Sequence, residues 1–206
     1  MAVANYHDVH GHLPPPFVRG PDGRPWHSWR VLVLPYIEQG RLHDRYKFDE
    51  PWDGPNNRLL ASEMPRLYRF HHGVPDDTTV SNYLAVVGPE TAWHPTEKVK
   101  FADMLDGVSK TILIVENAGA GVHWMEPRDL TFADFDYRLN TPAGIGSPHT
   151  RPGVALADGS LRMLGPEITP DVLRALLTVR GGEPLADTGT GWELLPDGRD
   201  RPLRER

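Results

Sequence analysis

Ten histidines and no cysteine make imidazole the main acid–base and metal-binding group of this 206-residue chain. Three of them, His7, His10 and His12, lie in the segment HDVHGH near the N-terminus. Neutral imidazoles at such close spacing can bind zinc, copper or nickel. The same spacing also occurs where histidines are merely exposed or packed at a helix end, and that interpretation is favoured. The segment is therefore a candidate zinc site, and the alternative stays open.

A fourth histidine, His149, is followed by eight residues and then by Asp158-Gly159, within HTRPGVALADGSLRML. A histidine and an aspartate held close together can exchange protons with a substrate. Asp-Gly between apolar residues is, however, also the strongest short signal for a type I′ hairpin turn. We favour the turn, with His149 as a residue of the motif whose role the hairpin does not explain.

A two-residue turn at this position fixes the register of the two flanking strands. Leu156 would oppose Leu161, and Val154 would oppose Met163. All four apolar side chains would then lie on one face of the hairpin, and the sequence predicts that this face is the core.

Other residue groups allow chemistry but favour a structural role. The segment DRYKFDEPWDG holds four carboxylates, whose oxygens suit Ca²⁺, but its spacing is not that of an EF-hand, so a solvated loop is favoured. Glu116 ends the apolar run TILIVE and could act as an acid or base if buried. A structural role is favoured, either at the edge of the sheet or paired with an arginine or with backbone N–H groups. The adjacent pair His71-His72 cannot serve one ligand from a strand. The four carboxylates are Asp44, Asp49, Glu50 and Asp53.

Tryptophan is frequent, with six copies in the chain. Five of them lie in loop-like contexts near proline, glycine or histidine, and four of these five are candidates for stacking on a glycan or a small solute. The favoured alternative is that these large rings fill a core that has few regular elements. The four candidates are Trp26, Trp52, Trp93 and Trp124.

Several classes of function lack their sequence signature. The net charge of −6 argues against a nucleic-acid partner. The chain has no G-x-S-x-G, GxGxxG or GxxxxGK[ST] motif, so we expect a protein that is not an enzyme. No apolar run approaches 18 residues, and the first residues do not form a signal peptide, so the chain as written predicts no membrane contact and no export signal.

The elements that must position these residues are short, because 20 glycines and 21 prolines punctuate the chain. The pattern predicts helices over 28–40 (capped by Ser28, with a kink or an early stop at Pro35), 57–64 and 170–180 (capped by Thr169). Strands are predicted over 81–88 and 111–116, with further short strands within 132–139. The predicted fold class is α+β, with a domain over 4–183. Residues 184–206 read as a polar, partly disordered tail, in which Trp192, Leu194 and Leu195 could dock one segment.

Five segments in a fixed order resemble the DUF1559 family, which comprises pilin-like proteins of planctomycete bacteria with a C-terminal "H-x9-DG" motif. The resemblance covers about residues 4–183, and each motif is weak alone but specific in this order. The segments are ANYHDVHGHLPP, HSWRVLVLPYIEQG, FADMLDGVSKTILIVEN, VHWMEPRDL and HTRPGVALADGSLRML followed by LRALLT.

The chain departs from the family pattern in three ways. It lacks the prepilin-type apolar N-terminal helix, it lacks the family's cysteines, and it has eight residues instead of nine between His149 and Asp158. The resemblance implies a pilin-like head in which a helix packs on an antiparallel sheet. It also implies assembly or display at the cell envelope or outside the cell, with a protein partner or self-assembly. A cytoplasmic location and a glycan- or solute-binding role remain the alternatives.

Overall fold

The computed structural model describes residues 2–70, 75, 77–189 and 191–195. This part of the chain combines short helices with mostly antiparallel strands, so the predicted α+β class is confirmed. The α-helices are α1 (Ala2–His10), α2 (Trp29–Leu32), α3 (Gly40–Arg45) and α4 (Pro170–Leu177). The 3₁₀ helices are Leu34–Ile37, Asn57–Glu63, Arg66–Tyr68, Phe101–Asp103 and Val108–Lys110.

The strands are short, as the many glycines and prolines predict. Six precede residue 120: β1 (Phe17–Arg19), β2 (Pro25–Ser28), β3 (Val80–Ser81), β4 (Tyr83–Leu84), β5 (Val86–Val87) and β6 (Ile112–Glu116). Six follow it: β7 (Val122–His123), β8 (Leu130–Thr131), β9 (Gly153–Leu156), β10 (Leu161–Met163), β11 (Leu185–Asp187) and β12 (Trp192–Leu194).

A four-stranded antiparallel sheet in the order β10-β9-β6-β4 divides the hydrophobic core. Its strand β6 is buried on both faces, as its continuous apolar run predicts. Leu113 packs in a first core cluster, whereas Ile112 and Val115 pack in a second. The first core cluster includes Val3, Tyr6, Trp29, Val31, Leu34, Tyr68, Trp93 and Trp124. The second includes Leu84, Val154, Leu156, Leu173, Leu176 and Trp192.

The predicted helix over 28–40 is broken, and the break has a clear cause. Ser28 caps α2, because its side chain accepts a hydrogen bond of 3.1 Å from the backbone N–H of Arg30. Pro35 cannot continue the α-helical hydrogen bonds, so the chain passes into a 3₁₀ turn over Leu34–Ile37. Of the two outcomes predicted at Pro35, a kink or an early stop, the structure shows the early stop, because α2 ends at Leu32.

The C-terminal helix begins as predicted and ends earlier. The Thr169 side chain accepts a hydrogen bond from the backbone N–H of Val172, and Pro170 occupies the first helical position. The apolar stripe of α4 packs in the second core cluster. The predicted end at Gly181 is wrong, because Thr178 is extended and forms a β-bridge with Thr91.

The hairpin around Asp158-Gly159 exists, but its predicted register is wrong by one residue. Leu161 pairs with Ala155, and Met163 pairs with Gly153. The backbone N–H of Gly159 donates to the Leu156 carbonyl, and Gly159 has a φ of 90°. This is the geometry of a three-residue loop that closes with a left-handed glycine, in place of the two-residue type I′ loop.

The shift by one residue changes which face of the hairpin is buried. Val154 and Leu156 lie in the second core cluster, as predicted. Leu161 and Met163 do not: they are 76% and 52% exposed, on the opposite side of the sheet. The sequence therefore predicted that both strands of the hairpin turn their large apolar side chains to the core, whereas β10 is an exposed edge strand in the structure.

Gly159 provides a test of this turn. Gly159→Val should lower the free energy of unfolding by about 1–2 kcal/mol, because a side chain is strained at positive φ. A side chain there would meet no neighbour within 4 Å, so steric clash does not contribute. Urea unfolding measures the change, with Gly40→Val as control, since Gly40 also faces open space but has an ordinary φ. Equal stability of Gly159→Val and wild type would rule out this loop.

Two further strand predictions are corrected. The expected strand over 81–88 is divided into β3, β4 and β5, which pair with three different strands. The short strands expected within 132–139 are absent from that described segment, which has only an isolated bridge between Asp136 and Gly144.

The segment after residue 183 contains the hairpin of β11 and β12. Trp192 docks in the second core cluster, as predicted, whereas Leu194 and Leu195 remain exposed. Residues 196–206 of the predicted tail lie outside the described residues. The domain boundary at 183 stays a prediction.

Candidate functional site

His149 and Asp158 do not form a joint site. The Asp158 carboxylate accepts hydrogen bonds of 2.8 and 2.7 Å from the backbone and side chain of Ser160, within its own turn. The exposed His149 ring lies 6.5 Å from the Phe70 ring, measured between centroids. No hydrogen bond or ion pair joins the two residues, both of which the structure describes. The motif therefore marks a hairpin. Gly159 has a positive φ, a conformation that favours glycine over other residue types.

The three N-terminal histidines lie on α1 and just after it, but their rings are engaged differently. His7 lies 4.6 Å from the Phe101 ring, whereas His10 stacks on Tyr6 at 4.0 Å. The Nδ1 atom of His12 is 2.7 Å from the Leu13 carbonyl oxygen. Across the described ranges, no group of three or more His, Cys, Asp or Glu side chains could hold a metal ion.

One of the four carboxylates of the acidic segment accepts hydrogen bonds from backbone groups of the same loop. Glu50 accepts hydrogen bonds of 2.8 and 2.7 Å from the backbone N–H groups of Asn56 and Asn57, which closes the loop. The pair His71-His72 lies outside the described residues.

Two of the four tryptophan candidates are corrected, because they are core residues. Trp93 and Trp124 are fully buried in the first core cluster. Their indole N–H groups donate to the carbonyls of Leu113 and Ala61, at 2.6 and 2.9 Å. Neither ring can stack on a ligand, whereas Trp26 and Trp52 are partly exposed.

An apolar groove of about 400 Å³ lies on the face of the main sheet that the hairpin register leaves open. Ile114 of β6 and Ala155 of β9 line it together with the exposed Leu161 and Met163 of β10. Glu116, Gly153, Val154 and Arg162 also line the groove, and residues from the N-terminal half contribute the rest. Those of the N-terminal half are Ala2, Val3, Trp29, Val33, Ile37, Leu67, Tyr68, Arg69 and Tyr83.

Glu116 is the acidic side chain of this groove. Its carboxylate accepts a hydrogen bond of 2.7 Å from the backbone N–H of Gly153. A Cβ atom at Gly153 would lie only 3.1 Å from the Glu116 carboxylate, so glycine permits this close approach. Burial and the negative charge of Glu116 raise the pKa of Tyr83, which also lines the groove. Glu116 therefore has a structural partner and still faces the groove.

A buried ion pair holds the α2 wall of the groove in place. Arg30 donates to the Asp129 carboxylate at 2.7 Å, and both side chains are almost completely buried. The same guanidinium donates to the carbonyls of Trp124, Glu126 and Arg128 at 2.9–3.0 Å. The indole of Trp29, which lines the groove, donates to Asp129 at 3.2 Å.

The sequence pattern did not lead us to predict this ion pair, although both residues lie in segments that carry the family resemblance. Arg30 lies in HSWRVLVLPYIEQG and Asp129 lies in VHWMEPRDL, two segments that carry the family resemblance. Burial raises the pKa of Asp129, and the charge and hydrogen bonds of Arg30 oppose that rise.

One buried histidine, His27, and one partly buried histidine, His123, are expected to make the fold sensitive to acid. Burial lowers the pKa of His27 and of His123 below the ordinary value of 6.5. The unfolded chain then binds more protons than the folded chain at acidic pH. Stability is therefore complete above about pH 6.5 and falls as the pH falls from there towards the folded-state pKa values.

Comparison of His27→Gln with wild type tests this expectation. The loss of unfolding free energy between pH 7.5 and 5.5, measured in urea, should be smaller in the variant by up to about 1 kcal/mol. His149→Gln is the control, because His149 is exposed and should behave as wild type. An identical pH dependence in His27→Gln and wild type would contradict a role for His27.

Taken together, the fold and the groove define an α+β domain whose antiparallel sheet presents an open apolar face. Residues 1–92 match the model of a family described as "Protein of unknown function (DUF1559)". This match supports the resemblance to DUF1559 over residues 1–92, which contain the first two of the five segments. The matched segment contains α1, Trp29 and Tyr83, and thus much of the groove lining.

No curated protein and no solved structure matches the chain significantly. Within the described residues, no helix is both long enough and apolar enough to cross a membrane.

Proposed function

We propose that this chain is a non-enzymatic assembly module that docks an apolar helix of a partner subunit in the groove on its sheet. The observation that carries the proposal is the exposure of Leu161 and Met163 beside an already apolar groove. Leu67 adds a third large exposed side chain to the same lining. Exposed apolar clusters on a folded domain mark surfaces that bind other proteins.

The apolar lining of the groove and the family resemblance support a helix as its occupant. An amphipathic helix binds by placing one apolar face in a groove between elements of its partner. The resemblance to pilin-like heads implies a helix that packs on an antiparallel sheet. In this structure, α1 contributes only Ala2 and Val3 to the groove lining. Most of the groove remains open to a helix from another subunit, and such assembly supports a place at the cell envelope.

A synthetic amphipathic helix tests the proposal. The probe is a fluorescently labelled peptide with leucines on one face and uncharged polar residues on the other, and anisotropy reports its binding. Leu161→Asp combined with Met163→Asp should weaken binding at least about tenfold, because each change removes an apolar contact. Both side chains are largely exposed in the free protein, so the double variant should fold.

Leu59→Asp is the matched control. Leu59 is 72% exposed, close to the value for Leu161, but it does not line the groove. Its substitution should leave peptide binding unchanged. The proposal fails if the double variant binds as tightly as wild type. It also fails if a scrambled peptide of the same composition binds as well as the designed one.

A further inference from the structure

Three charged residues line the otherwise apolar groove, and one of them, Glu116, has no ion-pair partner among the described residues. The other two are engaged elsewhere. Arg162 pairs with Asp187 at 3.3 Å, and Arg69 is buried and has a partner of its own. Glu116 is partly exposed, so a molecule in the groove can reach its carboxylate.

The strand pairing places this carboxylate beside the exposed edge strand β10. Met163 of β10 pairs with Gly153 of β9, whose backbone N–H donates to Oε2 of Glu116 at 2.7 Å. A Cβ atom at Gly153 would lie 3.1 Å from Oε1, so the carboxylate lies close to the backbone of β9. Because neighbouring strands are about 4.8 Å apart, Met163 begins about one strand spacing away. Oε1 makes no hydrogen bond with a described residue, so it remains available to a donor.

The sheet around Glu116 is apolar. Leu161 pairs with Ala155, and Ala155 pairs with Ile114, so the neighbouring row across the sheet carries only apolar side chains. Tyr83 pairs with Glu116 on the other side. A helix that covers these residues also covers the carboxylate, and burial of a carboxylate without a counter-charge is unfavourable. The groove therefore favours a helix that brings a cation with its apolar face.

We propose that the partner helix carries a lysine or an arginine at the edge of its apolar face, and that this cation pairs with Glu116. The inference rests on the proposed function, because it specifies which helix the groove accepts. The cation supplies a donor to Oε1, while Gly153 holds Oε2 in place. The apolar stem of a lysine or arginine packs along the sheet and brings its charge to the carboxylate. Glu116 thus selects among apolar helices by their charge.

A series of peptides tests this selection on the unmodified protein. Each version of the labelled amphipathic peptide carries one lysine at a different position along the edge of its apolar face, and each has a twin with glutamine at that position. At least one lysine peptide should bind at least about tenfold more tightly than its twin, as measured by anisotropy. Glutamate at the same position should bind more weakly than glutamine, because two carboxylates would then face each other.

Glu116→Gln should remove this preference, so that the lysine peptide and its glutamine twin bind with nearly equal affinity. The amide oxygen of glutamine can still accept the hydrogen bond from Gly153, so the contact between β6 and β9 is kept. Glu193→Gln is the control, because it changes the net charge by the same amount. Glu193 is exposed on β12 and does not line the groove, so the preference for lysine should remain complete.

The two proposals fail in different ways. If no peptide binds, helix docking itself is wrong, and the cation site fails with it. If peptides bind but lysine and glutamine twins bind equally at every position, the cation site is overturned and helix docking stands. A preference for lysine that persists in Glu116→Gln also overturns the site, because it then comes from the net charge of −6. The comparison of twins on the unmodified protein still gives a result if Glu116→Gln does not fold.

Discussion

Asp129→Ala is expected to lower the free energy of unfolding by about 3–5 kcal/mol, because it leaves the Arg30 guanidinium buried without a counter-charge. The pair is shielded from solvent on both sides, with side-chain exposures of 0% and 2%. Water therefore cannot replace the carboxylate without opening the core. The substitution also removes the acceptor of the Ala85 backbone N–H, which donates to Asp129 at 2.8 Å.

An exposed ion pair of similar geometry provides the control. Arg45 and Glu63 form two hydrogen bonds of 2.6 Å, but their side chains are 56% and 40% exposed. Glu63→Ala should cost no more than about 1 kcal/mol, because solvent replaces the lost partner. Urea unfolding of both variants measures the difference. Equal losses in the two variants would show that burial does not set the strength of the Arg30–Asp129 pair.

The same substitution should affect the groove. Trp29 lines the groove and donates its indole N–H to Asp129, and Arg30 fixes α2 against residues 124–128. If Asp129→Ala still folds at low temperature, its α2 wall should be less ordered, and the amphipathic peptide should bind more weakly than it binds wild type. Unchanged peptide affinity would show that the groove does not depend on this ion pair for peptide binding.

Local patterns predicted the elements that local interactions determine. Thr169 and Pro170 start α4, Pro35 ends α2, and the run TILIVE forms a strand covered on both faces. Each of these follows from the cap, the ring or the periodicity of the residues themselves. The resemblance to the family is likewise recognised from the order of motifs along the sequence, without any knowledge of contacts.

The hairpin and the sites required information that the local pattern does not contain. Asp-Gly fits a two-residue loop and also a three-residue loop that ends in a left-handed glycine, and the two differ by one residue of register. That difference exposed Leu161 and Met163 and created the groove. The Arg30–Asp129 pair spans 99 positions of sequence, so no periodicity reveals it. Burial of Trp93 and Trp124 is likewise a property of tertiary packing.

Asn117 is expected to give the second large loss of stability. Its side chain is buried and makes four hydrogen bonds at the end of β6. The amide donates to the carbonyls of Pro142 and Gly144, at 2.9 and 2.7 Å. The amide oxygen accepts from the backbone N–H groups of Gly119 and Ala120, at 2.9 and 2.7 Å. One side chain therefore connects both ends of the long segment 118–146, in which β7 and β8 are the strands described.

Asn117→Leu should lower the free energy of unfolding by about 3 kcal/mol, because it removes four hydrogen bonds. The buried Gly144 carbonyl left without a partner costs roughly 1–3 kcal/mol, and each of the three part-buried hydrogen bonds contributes about 0.5–1.5 kcal/mol. Urea unfolding measures this loss, and trypsin should cut the loop at Arg138 sooner than in wild type. Asn56→Leu is the control: Asn56 is exposed, so its substitution should change stability by about 0.5 kcal/mol at most. Comparable losses in the two variants would contradict this account of Asn117.

Asn117→Asp separates the donor half of this network from the acceptor half. The carboxylate keeps the two acceptor positions but faces the carbonyls of Pro142 and Gly144 with negative charge. Burial and these carbonyls should raise the pKa of the new carboxyl above its unfolded value of about 3.9. The folded variant then binds the proton more tightly than the unfolded chain. Relative to wild type, its stability should therefore increase as the pH falls through the raised pKa, and a pH-independent difference would show that the lost donors do not matter.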